Sequence, residues 1–155
     1  MIKIEAIPDT AFDDCNSLKD MAKEALSFLQ WHSWCKIVKQ GYLDIGWPGI
    51  LAIFYFEIEP ASASADDTLW VVVGDIPPAY IDTVSCSTAA LALSGYLNAM
   101  QEWMDHVSTQ QPVNGLIPVY RRHSLLRMPP TRESAQLLRT RLDFIRTQLL
   151  PICES

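Results

Sequence analysis

Apolar positions early in the chain recur every three or four residues: Leu18, Met21, Ala25, Phe28, His32 and Cys35 draw one stripe. That period is the signature of an amphipathic helix. Trp31, Trp34 and Val38 widen the stripe, Ser17-Leu18-Lys19-Asp20 resembles a capping box with Asp in place of Glu, and Gly41 reads as a C-terminal stop. The pattern therefore predicts a helix over 16–40. After a turn at Gly46-Trp47-Pro48-Gly49 the period changes, and Ile50 to Glu59 is rich in β-branched and aromatic residues, which argues for a strand. Its first half is apolar on both faces while Glu57 and Glu59 share one face near its end, as expected of a central strand. A loop at 60–67 leads to a second strand, Thr68 to Gly74, and an antiparallel hairpin is the simplest pairing.

Ile76-Pro77-Pro78 then breaks the chain. Ala89, Leu93, Leu97, Met100, Met104 and Val107 restore the 3/4 spacing and predict a second helix over 87–108. Asn114-Gly115 marks a turn, and Leu116 to Tyr120 reads as a short strand that Pro118 confines to a sheet edge. Thr131, behind Pro130, opens a third helix to Leu150, with Pro151 just past its end. Ala135, Leu138, Leu142, Ile145 and Leu149 form its apolar face; Arg139 and Asp143 are spaced to pair at i, i+4, worth about 0.3 kcal/mol. The order α-β-β-α-(β)-α predicts an α+β domain: three helices packed with a small antiparallel sheet made of the hairpin and the short edge strand.

Composition narrows the setting. The 155 residues, 49% of them hydrophobic, suit one domain over 1–155 with a core that needs no metal or disulfide. Met1-Ile2-Lys3-Ile4-Glu5 carries no secretory leader pattern. The longest uncharged stretch, Thr83 to Gln101, is diluted by Ser85, Ser87, Thr88, Ser94 and Asn98, too polar for a membrane span. The protein is expected to be cytoplasmic, with Cys15, Cys35, Cys86 and Cys153 reduced. Its formal charge of −6 is unevenly spread: all five lysines precede residue 40, and all seven arginines lie between Arg121 and Arg146. Net acidity repels phosphate backbones, so nucleic acid is not the expected partner.

Chemistry is sparsely signalled. Asp75 stands just beyond the strand Trp70-Val71-Val72-Val73-Gly74, where a scaffold can present a catalytic group or a turn can use a carboxylate to fix its bend. The segment Gly74-Asp75-Ile76-Pro77-Pro78-Ala79-Tyr80 resembles the Gly-Asp-[Leu/Ile]-Pro-x-x-Tyr signature of small uncharacterised bacterial proteins of a domain-of-unknown-function family, in which a helix with a late Trp, here Trp103, follows. The resemblance covers about residues 69–107. It implies a bacterial cytosolic origin and brings no activity with it.

Other arrangements point to structure. Glu57 and Glu59 could act as a carboxylate pair, but beside a polar loop they better suit a charged strand end that discourages aggregation. His32 and Cys35 could touch one metal ion, yet zinc needs three or four ligands and no second pair is spaced for it. His123-Ser124 lacks a nucleophile elbow, and the glycines at 41, 46, 49, 74, 95 and 115 fit no nucleotide-binding loop. No cofactor or metal is expected. Arg121, Arg122, His123 and Arg127, with the later arginines, would bind an acidic protein surface or a small anion if they converge, or would neutralise the protein's own carboxylates at the first helix.

The expected function is a non-catalytic accessory module, of the immunity or chaperone type, that binds another protein. The alternative is a small enzyme or anion-binding domain, with a pocket between sheet and helices lined by Trp70, Asp75, Tyr80, Trp103 and an arginine. A homodimer through the apolar stripe of the last helix is a further alternative.

Overall fold

The computed structural model describes residues 1–8, 13–63 and 66–155, with their side chains except at 13–16. The Cys15 thiol and positions 64–65 of the 60–67 connection lie outside the described residues. Five antiparallel strands form one sheet in sequence order: β1 (Ile2–Lys3), β2 (Cys35–Trp47), β3 (Leu51–Pro60), β4 (Thr68–Gly74) and β5 (Ala79–Asp82). Helix α1 (Asp13–Gln30) covers one face, while α2 (Ala89–Ser108) and α3 (Arg132–Phe144) cover the other. The α+β class and the β3–β4 hairpin expected from the pattern are present.

The two-sided layering follows from β3 and β4. Alternate side chains project to opposite faces of a strand. Ala52, Phe54, Phe56 and Ile58 of β3 join Leu69, Val71 and Val73 of β4 against α1, with Phe54 opposite Val71 and Phe56 opposite Leu69. Leu51 and Ile53 join Trp70 and Val72 against α2 and α3. All of these are buried, so neither face can be left to water.

The first helix is shorter than its stripe suggested. It runs from Asp13 to Gln30, so Ser17 lies inside it rather than at its cap, and residues 35–40 belong to β2. The ending is specific: the His32 ring donates from Nδ1 to the Phe28 carbonyl at 2.7 Å, satisfying an acceptor the helix leaves open. Beyond it, Ile37 and Val38 are β-branched, and β3 offers its whole edge for pairing, from Cys35 opposite Pro60 to Trp47 opposite Leu51. Ladder pairing outweighs a local helical period there. Gly41 is consequently no helix stop. It sits in mid-strand because a Cβ would meet the Ile4 Cδ1 and the Phe56 ring at 2.5 Å.

Three further differences concern prolines. Ile76-Pro77-Pro78 leads into the edge strand β5 before α2 begins, where Thr88 caps the helix by accepting from the Leu91 N–H at 3.1 Å. Residues 116–120 form no strand of the sheet; an isolated bridge pairs Tyr120 with Arg127 instead. Thr131 does cap α3, accepting from the Ser134 N–H at 3.2 Å. The helical path then continues past the expected stop at Pro151 through a π turn, Ile145–Leu149, into α4 (Leu150–Glu154). The Leu150 N–H reaches back five residues to the Ile145 carbonyl, and Pro151 falls in the first turn of α4, where its missing donor costs no bond. Asp143 pairs with Arg146 at 3.6 Å, not with Arg139.

Ala135, Leu138, Leu142, Ile145 and Leu149 are all buried within the chain's own core, while Leu137 and Phe144 remain exposed. Leu142 is 0% exposed. Leu142→Ala should therefore lower unfolding free energy by about 2–5 kcal/mol in urea titrations, because it leaves a cavity between helix and sheet. Leu137→Ala on the outer face of the same helix should change it by less than about 0.5 kcal/mol, and equal effects would contradict this orientation of α3.

Candidate functional site

The expected site residues separate into three environments. Trp70 and Trp103 are core: both are nearly inaccessible, and the Trp70 Nε1–H donates to the Cys86 carbonyl at 2.7 Å. Tyr80 lies on β5 among aromatic rings near the end of α1. Asp75, Arg122 and His123 come together at the end of β4, and Arg121 stands beside them on the ribbon described below.

The backbone at Gly74 creates the Asp75 position. Gly74 has φ of +145° and packs so closely on the Ile50 carbonyl that a Cβ would overlap it. The Asp75 N–H then donates to that same carbonyl at 3.1 Å. Ile76 anchors the turn in the core, and the Pro77 carbonyl accepts from the buried Tyr96 hydroxyl at 2.7 Å. Burial pushes the Tyr96 phenol well above its ordinary value, which keeps it a donor. Each part of the Gly-Asp-Ile-Pro-x-x-Tyr segment thus has a packing or hydrogen-bonding role.

Asp75 turns outward to solvent between two guanidiniums. Arg141 of α3 donates to its Oδ2 at 3.1 Å, and Arg122 approaches its Oδ1 at 4.0 Å. Arg122 also donates to Glu24 of α1, from Nε at 3.3 Å and from an Nη at 3.4 Å. The His123 Nδ1 stands 3.8 Å from the same carboxylate. The Glu24 side chain is only 7% exposed. The chain of charges Glu24–Arg122–Asp75–Arg141 therefore links the helix layer on one face to the helix layer on the other around the end of the sheet. Its exposed links are each worth at most about 1 kcal/mol. Paired carboxylates and guanidiniums of this kind position and recognise; a guanidinium stays protonated and cannot serve as a base.

Arg122 and His123 sit on a ribbon at 119–128. The Arg121 N–H donates to the Leu126 carbonyl at 2.8 Å and the Met128 N–H to the Val119 carbonyl at 2.7 Å. The tip turns through His123 at φ of +61°, and the Leu126 N–H is held by the Ser124 hydroxyl at 2.8 Å. Tyr120, at the base, is buried and carries the Arg127 guanidinium 5.1 Å from its ring centre. Arg121, Arg127, Leu125 and Leu126 are exposed, Leu126 by 68%.

Beside the ribbon, Phe28, His32, Trp34, Tyr80 and Tyr120 form one aromatic cluster. His32 lies 4.9 Å from Trp34, 5.4 Å from Tyr80 and 5.9 Å from Tyr120, ring centre to ring centre. Desolvation pushes the Tyr80 phenol up, as does neighbouring Tyr120, against a smaller lowering by Arg127. Since Nδ1 is committed to Phe28, the lone pair of His32 is on Nε2, which is buried with no hydrogen-bond partner among the described residues. Among the described residues, no three His, Cys, Asp or Glu side chains gather as a metal site. His32 and Cys35, placed on one helical face by their spacing, instead belong to a turn and a strand.

The reading in which the clustered arginines neutralise carboxylates of the first helix fits Arg122 and Glu24, whereas Glu24 as the particular carboxylate, the pairing of Arg141 with Asp75 and the ribbon register were not apparent in the sequence. The pairing of Glu24 with Arg122 spans 98 positions, and no local pattern announces it. Cys35, Cys86 and Cys153 are free thiols, and burial raises all three. Glu59 pairs with Lys36 across the β2–β3 ladder at 3.5 Å. No helix is long and apolar enough to cross a membrane among the described residues. No family model, curated protein or solved structure matches the chain.

His32 gives this region a pH dependence. Desolvation lowers its basicity more than the Phe28 hydrogen bond raises it, so the folded state holds the ring neutral. The unfolded chain, titrating near about 6.5, then binds more protons than the native state, and stability rises with pH. The contribution is complete above that value and is lost as pH falls from there through the lower folded value. His32→Phe should accordingly lose less stability than the natural sequence between pH 7.5 and 5.5 in parallel urea titrations. Identical losses would show that His32 is not desolvated.

Proposed function

We propose that the protein is a non-catalytic binding module, and that it engages an acidic surface of another protein through the 119–128 ribbon. One observation carries this reading: an exposed tip pairs Leu125 and Leu126 with Arg121, Arg122, His123 and Arg127, and is tied down at its base rather than free. Arg122 is shared by Glu24 and Asp75, whereas among the described residues Arg121 makes no ion pair and Arg127 rests on Tyr120. Two guanidiniums thus remain open to carboxylates, beside leucines that can enter an apolar recess. Preorganisation lowers the entropic cost of docking, and an apolar anchor with arginines is the composition of energetic centres in interfaces. The overall charge of −6 supports discrimination, because an acidic partner is repelled by the rest of the surface and can approach favourably only at this cationic tip.

This reading takes the binding role expected from composition and proposes the ribbon as its surface. The expectation of a bacterial cytosolic accessory protein belongs to the same reading. Capture experiments from a lysate of the source organism test it, with the natural protein and the Arg121→Glu/Leu126→Asp double variant as baits of equal thermal stability. A stoichiometric acidic partner that is retained by the natural protein, released by salt and lost with the variant is the expected result. Recovery of no partner, or equal recovery by both baits, would overturn the proposal.

A further inference from the structure

On the opposite side of the sheet the end of α2 meets the start of α3. A cleft of about 490 Å³ opens there between Val107, Ser108 and Gln110 on one wall and Pro130, Arg132, Gln136 and Arg139 on the other, with Ala135 among its lining residues. That volume is in the range of small-molecule sites. Its lining holds two guanidiniums and no carboxylate. Among the described residues neither arginine makes an ion pair, although the chain carries 18 acidic side chains against 12 basic ones.

The placement follows from helical spacing. Arg132, Gln136 and Arg139 are separated by 4 and 3 residues and so share one face of α3. Asp143, the carboxylate spaced to pair with Arg139, is instead engaged by Arg146 in the π turn. Arg139 is thereby left to face the cleft. The Met104, Asp105 and His106 carbonyls near the end of α2 accept from the Ser108 hydroxyl, the Thr109 hydroxyl and the Gln111 N–H. Val107, Pro130 and Ala135 supply apolar wall.

We propose that this cleft binds a small organic anion, its phosphate or carboxylate head held by Arg132 and Arg139 and its apolar body against Val107 and Pro130. Planar guanidiniums suit both heads because each offers oxygens that accept paired N–H bonds. Gln136, between the arginines, adds an amide donor to the same oxygens. The site is independent of the ribbon proposed for protein binding.

Calorimetric titration of the full chain with phenyl phosphate and, separately, benzoate tests the inference. Saturable binding of either probe is expected, weakened at least tenfold by Arg132→Ala or Arg139→Ala and unchanged by Leu126→Asp on the ribbon. Arg132→Lys and Arg139→Lys preserve the charge where the alanine variants unfold. They should still weaken binding severalfold, because a point charge cannot reproduce the paired donors. Binding of phenyl phosphate alone identifies a phosphate head, and of benzoate alone a carboxylate head. Absence of saturable binding by both probes, or binding indifferent to both arginines, would overturn the proposal.

Discussion

Burial of β3 and β4 on both faces is the constraint from which the remaining architecture follows. Phe54, Phe56 and Val71 on one side, and Leu51, Ile53 and Val72 on the other, are fully or almost fully removed from water. A sheet so apolar on both surfaces must be clad twice, by α1 and by the α2–α3 pair. Cladding on two faces leaves the strand ends as the places where polar groups emerge. Asp75 is such a group, fixed by the tight Gly74 approach to Ile50 and then shared between arginines from either side. The charged surface at this strand end is therefore a consequence of the core and does not compete with it.

This geometry explains why charges of modest individual worth still matter. Exposed ion pairs contribute little to stability, but the series Glu24–Arg122–Asp75–Arg141 spans three separately packed elements and the ribbon. Its effect is to fix where the ribbon stands relative to the sheet. The ribbon's own bonds, from Arg121 and Met128 to Leu126 and Val119, fix its shape. Shape and position together give a preformed tip, at which docking would require no loop to be ordered first.

Much of the fold was legible in the sequence where burial and local preference agree. β4 was read at its actual bounds from Thr68 to Gly74, α2 to within two residues, and the Thr131 cap of α3 from its Pro-Thr context. Disagreement arose where long-range pairing decides. Residues 35–40 continue the helical stripe of α1 in spacing, yet their ladder with β3 and the His32–Phe28 bond draw them into β2. Pro151 reads as a stop only if the turn before it is α; a π turn carries the helix through. Of the site, Asp75, Arg122 and His123 were singled out from strand-end position and charge clustering. Arg141 was read only as one of the clustered arginines and Glu24 only as one of the first-helix carboxylates, because their particular pairings depend on how distant layers stack. Trp70 and Trp103 looked like pocket residues, but a large amphipathic ring with its N–H satisfied belongs equally in a core, as Trp70 shows through Cys86.

Amide hydrogen exchange of the free protein tests most directly whether the clad sheet holds a preformed ribbon. Protection of the Arg121 and Met128 amides comparable to that of neighbouring sheet amides, beside fast exchange of the exposed tip, is the predicted result. Exchange of Arg121 and Met128 at the rate of an unstructured peptide would contradict the account, because the tip would then be a loose loop and not a surface presented by the fold.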